Sequence, residues 1–341
     1  MDHHIFGIFG EDDVVKYLSA NNRLENYITQ VDHDNKYILW RFDDKASIWK
    51  QADPDWFNIL VKDCIAKLFA NLFEEFSQID SLSEIDLFRL DNLRSLRERC
   101  LLMSSFFRIR QLLYEDLHDV RLFDQKKDKL PILQGKLIDL KSGEVSNMNK
   151  DDRFSYACNV KYNPDADPSI IMDFVGKLTC YDNIMLSNLQ KILGYCITGD
   201  YWLIKGFYFV GNGLNGISTL MELMFEILGS GCMKLPPPPH LYIKSRINSA
   251  HRLIICESHD EDYKIELDKV KQIVICNNEP EILLPESICF TFKAKFVSAP
   301  KNNNEFLIDT NIMKTLKQDN NKSAFLNWLI EGAQKYYTGG F

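Results

Sequence analysis

The stretch that decides the fold of this chain is "GFYFVGNGLNGISTLMELMFEILG", residues 206–229. It opens with an apolar run of strand length, passes through a turn punctuated by Gly211, Gly213 and Gly216, and continues with apolar residues at helical spacing. Gly229 then supplies a good helix stop. Strand, Gly-rich turn and helix in this order match the layout of a phosphate-binding loop, G-x-x-x-x-G-K-[ST]. Gly211, Asn212, Gly213, Leu214, Asn215, Gly216, Ile217 and Ser218 fit every fixed position but one, with Thr219 beside the last. The exception is the lysine, which here is Ile217.

Most of what such a loop needs is backbone and survives the change. The glycines permit angles that turn successive N–H groups toward phosphate oxygens. A helix starting near Ser218 adds its own unbonded N–H groups and the positive end of its dipole. Ser218 stands where the template's Mg²⁺-binding hydroxyl belongs. The charge does not survive. The template lysine is a point cation on the terminal phosphates and stabilises the charge that develops in phosphoryl transfer. Isoleucine has no donor and no charge, and its β-branch stiffens the turn. Losing one well-placed donor of this kind costs about 3–4 kcal/mol, or on the order of a hundred- to a thousandfold in rate. The expectation is a loop that requires no cofactor, holds Mg·ATP weakly at best and hydrolyses it poorly. A plain tight turn between a strand and a helix is the competing reading of the same residues.

The rest of the chain is ample for two domains: 341 residues, 45% of them hydrophobic. The formal net charge of -8 excludes a general polyanion binder, so contact with nucleic acid requires a local basic patch. Nine cysteines are scattered without a C-x-x-C pair, and several lie in apolar runs, as buried thiols of a reducing compartment do. His3 and His4 could bind a metal, but an exposed N-terminus is the simpler reading. The N-terminus lacks the pattern of a secretory signal, and no long uncharged apolar window suits a membrane span. The expected location is intracellular and cytoplasmic, with no membrane partner.

Residues 37–51, "YILWRFDDKASIWKQ", predict two strands with Trp40 and Trp49 near one another. Asp53 and Pro54 open a helix whose buried face is Phe57, Val61, Leu68, Leu72 and Phe76. A second helical region, 82–117, is broken once and carries many arginines. Arg94, Arg97 and Arg108 belong either to a solvated face or to a face for nucleic acid or a partner. A hairpin turns at 141–144, and the prolines within 163–168 suggest a domain boundary. Beyond it, 170–180 and 183–198 read as helices and 202–210 as the strand before the loop. "LPPPPH" reads as a rigid connector. "HRLIICES" and "QIVICNNEP" read as strands, and 310–337 as helical.

From Lys129 onward the order of these features resembles the primase–helicases of large DNA viruses and of related phages and plasmids. Their ATPase is a superfamily three helicase of the AAA+ class. "LPILQGKLIDLKSGEVSNMNKDDRFSY" looks like the segment that precedes their motor, and "NLQKILGYCITGDY" like their Gly-Tyr…Thr-Gly-Asp helix. "YFVGNGLNGIST" looks like their phosphate loop, "HRLIICES" like the Walker B strand, and "CNNEP" like the sensor. The upstream "YILWRFDDKASIWKQ" resembles the small Trp-bearing hairpin that opens the family's helical domain. The resemblance implies an α/β fold: a mainly helical domain with small hairpins over 1–165, an AAA+-like P-loop domain over 166–300 and a helical tail over 301–341. It makes Glu257 and Ser218 the Mg²⁺ residues, Glu257 the group that polarises water, and Asn277 the γ-phosphate sensor. It also implies a ring of subunits, an arginine finger from a neighbour and a loop that grips single-stranded DNA.

Three departures from the family remove parts of that machine. The loop lysine is Ile217. The segment after the sensor, "LPESICFTFKAKF", has Lys293 and Lys295 but no arginine. Only residues 258–276 separate Glu257 from Asn277, a shorter interval than the family's, which holds the DNA-gripping hairpin. Together they suggest a degenerate relative without useful ATPase or helicase activity. Such a protein acts by self-association or as an assembly or replication partner, in the infected cell or viral factory if the source is a virus. Two rivals stand beside it: a slow or nucleotide-gated NTPase that recruits another cation, such as Lys205 or Lys234, and a single-strand DNA binder working through the arginine-rich helix.

Overall fold

The computed structural model describes residues 10–20, 23–32, 34–204, 206–235, 247–257, 270–280 and 286–341. Two compact units result: Met1–Asp43 with Trp49–Arg121, and Asp44–Ile48 with Leu122–Phe341.

The first unit is mainly helical. Helix α1 (Glu11–Ser19) precedes a sheet of β1 (Tyr27–Val31), β2 (Tyr37–Asp43) and β3 (Ile48–Gln51), in that order. Three longer helices follow: α2 (Pro54–Ser77), α3 (Glu84–Leu101) and α4 (Met103–Asp116). Local chemistry sets the helix starts. The Asp53 carboxylate accepts from the Asp55 N–H at 2.8 Å, with Pro54 in the first helical position. Ser83 caps α3 by accepting from Asp86 N–H at 3.2 Å. The five residues expected to form the inner face of α2 are all buried. The single break expected in 82–117 falls at Leu102. Strand β1 was not foreseen from the sequence; its Thr29 and Gln30 blur the apolar pattern. The Trp49 ring packs on Phe42, at 5.4 Å between centroids.

The second unit is α/β. Strands β4 (Lys129–Ile132), β5 (Lys136–Asp139) and β6 (Val145–Asn147) form a small antiparallel sheet, and the expected hairpin turns at Gly143 with φ +81°. Helices α5 (Ser169–Leu178) and α6 (Asn183–Ile197) lead to β7 (Gly206–Val210) and α7 (Ile217–Leu228). Then come β8 (Cys232–Leu235), β9 (Leu253–Glu257), β10 (Lys271–Cys276) and β11 (Ser287–Thr291). The short parallel pair β12 (Lys295–Val297) and β13 (Glu305–Leu307) is followed by α8 (Ile312–Leu316) and α9 (Asp319–Gly339). Five parallel strands make the main sheet, in the order β11-β7-β10-β9-β8. All five residues of β7 are buried, as are the first four of β9 and of β10, the signature of a parallel sheet covered on both faces.

Three sequence expectations need correction. The strand expected over 202–210 is formed only from Gly206, because β10 and β11 both begin their pairing with β7 at that residue. Upstream, Trp202 and Leu203 are exposed. The division between the units falls between Arg121 and Leu122, not near 165. Leu130, Ile138, Phe154 and Tyr156 share one core with α6, α7 and α9, and the Asn163 N–H donates to Ser323 Oγ of α9 at 2.7 Å. Residues 301–341 are not an appended tail: Phe325, Leu329 and Ala333 of α9 are buried in that same core. The connector "LPPPPH" beyond Leu235, His3, His4 and Lys205 lie outside the described residues.

Candidate functional site

The carboxyl ends of the five parallel strands share one edge of the sheet, and the Gly-rich loop leaves β7, second from one side, there. The connection after β7 runs to one flank of the sheet, and the connection after β10 runs to the other. The crevice beside β7 is therefore the place where open α/β sheets bind ligands.

Neighbouring segments pin the loop. Gly211 N–H donates to Cys276 O at 3.0 Å, Phe292 N–H to Val210 O at 2.8 Å, and Phe296 N–H to Leu214 O at 2.7 Å. Gly213 and Gly216 take φ of +72° and +81°, a region closed to most side chains. A Cβ at Gly216 would also crowd Leu178 and lie 3.0 Å from the Phe296 ring. Asn215 is buried, and its Oδ1 accepts from Ile217 N–H at 3.1 Å. The Asn215 side-chain amide fills the space a Cβ at Gly211 would take. The Ile217 Cδ1 lies 3.4 Å from the same point, and its side chain is only 2% exposed, part of the main core. Next to Gly211, then, stand an amide and a methyl group, where the template would direct an ammonium.

Two clefts flank the start of α7. One, of about 360 Å³, is lined by Leu214, Gly216, Thr219, Asp173, Lys177 and Phe296, among others. The other, of about 460 Å³, brings Ser218 and Glu257 together with Glu222 and Lys234. Hydroxyl and carboxylate are hard oxygen donors that fit Mg²⁺; the hydrocarbon at 217 does not fit a terminal phosphate. Asn277 is exposed and directly follows β10, beside the strand that bears the loop, but it is not among the residues lining the Ser218–Glu257 cleft. Asn212 is exposed at the loop tip.

Glu222 was missed from the sequence, although its spacing from Ser218 marks one helix face. Its carboxyl is held below the usual range chiefly by the hydrogen bond from Lys234. Lys317 adds ion pairs to Glu222 at 3.4 Å and Glu226 at 2.7 Å.

In the helical unit, Arg94 and Arg97 share a cleft with Phe73, Phe76 and Glu98. Arg108 does not join them: it faces Glu11 at 3.6 Å and Asp12 at 3.9 Å. The arginines expected to act as one face are thus divided. Burial pushes the Cys196 and Cys158 thiols up to about 12. Among the described residues, no helix is long and apolar enough to cross a membrane.

No family model matches this chain, and no curated protein matches it. Solved structures of the NrS-1 C-terminal region resemble it. The A-form apo structure of that region is 12% identical with a TM-score of 0.49, over 93% of this chain and 68% of that one. A second A-form apo structure, of residues 305-718, gives 12% and 0.48 over 95% and 71%. A further apo structure of the same region gives 11% and 0.48 over 97% and 70%.

Proposed function

We propose that this chain is a degenerate relative of the viral primase–helicases, with an AAA+-like domain that keeps the nucleotide cradle and has lost useful ATPase and helicase activity. It acts by binding, as a self-assembling subunit or as an assembly or replication partner. One observation carries this reading: Ile217, at the template's lysine position, is 2% exposed and packed in the core. The anchor for the terminal phosphates has become part of the fold's hydrophobic interior. The strand order supports the reading, since β7, β10 and β9 carry the loop, the sensor residue and the acidic residue side by side. The expected result is ATP turnover far below the roughly 1–100 s⁻¹ usual for phosphoryl-transfer enzymes of the kinase type. Sizing by mass is expected to show an oligomer. Ordinary motor turnover in the purified protein, abolished by Glu257→Gln, would overturn the proposal.

The slow or nucleotide-gated NTPase remains a second reading, favoured by the meeting of Ser218, Glu257 and Lys234 in one cleft. In that case Ile217→Lys raises turnover and Glu257→Gln removes it. For the single-strand DNA reading through the arginine-rich helix, Arg94 and Arg97 line one cleft, while Arg108 instead faces Glu11 and Asp12 of α1.

A further inference from the structure

We propose that Lys234 replaces the missing loop lysine: from strand β8 it supplies the cation for the phosphates of a metal-complexed nucleoside triphosphate, held as a ligand without fast turnover. The inference rests on the reading above, a cradle kept while turnover is lost.

The placement follows from two periodicities. Lys234 pairs with Ile255 across β8 and β9, and Glu257 lies two residues further along β9, on the same sheet face. On α7, Ser218, Met221 and Glu222 are three and four apart and share one stripe. The two faces enclose the cleft of about 460 Å³. The Lys234 ammonium is bonded to the Glu222 carboxylate and lies 4.5 Å from the centroid of the Phe225 ring. Glu222 is four residues of helix, roughly 6 Å along the axis, beyond Ser218. A flexible four-carbon stem can cover that distance. Glu222 does not depend on Lys234 alone, because Lys317 also pairs with it. Release of Lys234 toward a phosphate therefore leaves no bare carboxylate.

Charge selects the ligand. Glu222 and Glu257 outnumber Lys234 on the cleft wall, which disfavours a bare polyanion. A triphosphate complexed with Mg²⁺ carries less negative charge, which lessens that repulsion, and Ser218 and Glu257 are the oxygen donors on the cleft wall that would hold the metal. With the Ile217 side chain in the core, Lys234 is the lysine among the described residues that line this cleft.

The test is binding of Mg·ATP by equilibrium dialysis, independent of hydrolysis. Wild type is expected to bind in Mg²⁺ and to lose binding in EDTA. Lys234→Ala is expected to weaken affinity at least about tenfold, and Lys234→Arg to retain most of it. Lys234 is a surface residue, and unchanged thermal melting without nucleotide checks the fold of each variant. No Mg·ATP binding by wild type, equal affinity in Lys234→Ala, or undiminished binding in EDTA overturns the inference. Its failure is separable from that of the functional reading: motor-like turnover sinks the reading, whereas an unchanged dissociation constant in Lys234→Ala sinks the role of Lys234.

Discussion

At position 217 a single side chain changes its allegiance from ligand to fold. A lysine there would be desolvated against Leu220 and Met221, which are buried with it. Isoleucine belongs in that environment, so its removal should register as lost stability, not lost chemistry. Ile217→Ala is expected to destabilise the protein by about 2–5 kcal/mol in urea melts, the range for large-to-small changes in a packed core. An effect within about 0.5 kcal/mol, as for a surface site, would show that the side chain is not part of the core. The identity of the residue was legible from the template; its burial was not, because the same loop residue can point to ligand or interior.

The helix pair α6 and α9 shows the same division at the level of elements. "LQKILGYCITGDY" is legible in the sequence as a helix with a motif at its end, and the motif's Gly194 sits at a close helix–helix contact. Gly194 meets the backbone of Gly332 and Ala333, and Gly332 meets the Gln190 carbonyl, so each glycine lets the two helices touch main chain to main chain. The backbone has no rotamer with which to yield. Gly194→Ala is therefore expected to cost about 3 kcal/mol or more, by the logic of overpacking, with a lower urea midpoint as the readout. An unchanged midpoint would mean that the helices do not cross this closely. Sequence periodicity finds the helices but carries no information on which partner each one meets.

For the molecule as a whole, Lys271 ties the sheet to the end of α6. Its ammonium donates to the carbonyls of Thr198 at 2.8 Å and Asp200 at 2.5 Å and lies 4.7 Å from the centroid of the Tyr195 ring. Burial lowers its pKa from 10.5 to about 7. Between those two values the unfolded chain binds more protons than the folded one, so this group makes stability rise with pH across that window. Lys271→Met is expected to flatten the rise, measured as urea stability at about pH 7 and about pH 9. A slope unchanged by the substitution would assign the effect elsewhere.

By itself the sequence determined the strand–loop–helix unit, the helix caps, the α/β class and the absence of lysine from the loop, because these depend on residues close together in the chain. Only the tertiary structure decided where the units divide, which way Ile217 points, that Arg108 is engaged by α1, and that Lys234 meets Ser218 and Glu257. Each of those depends on which distant segments pack together, and local propensity and spacing do not encode that choice.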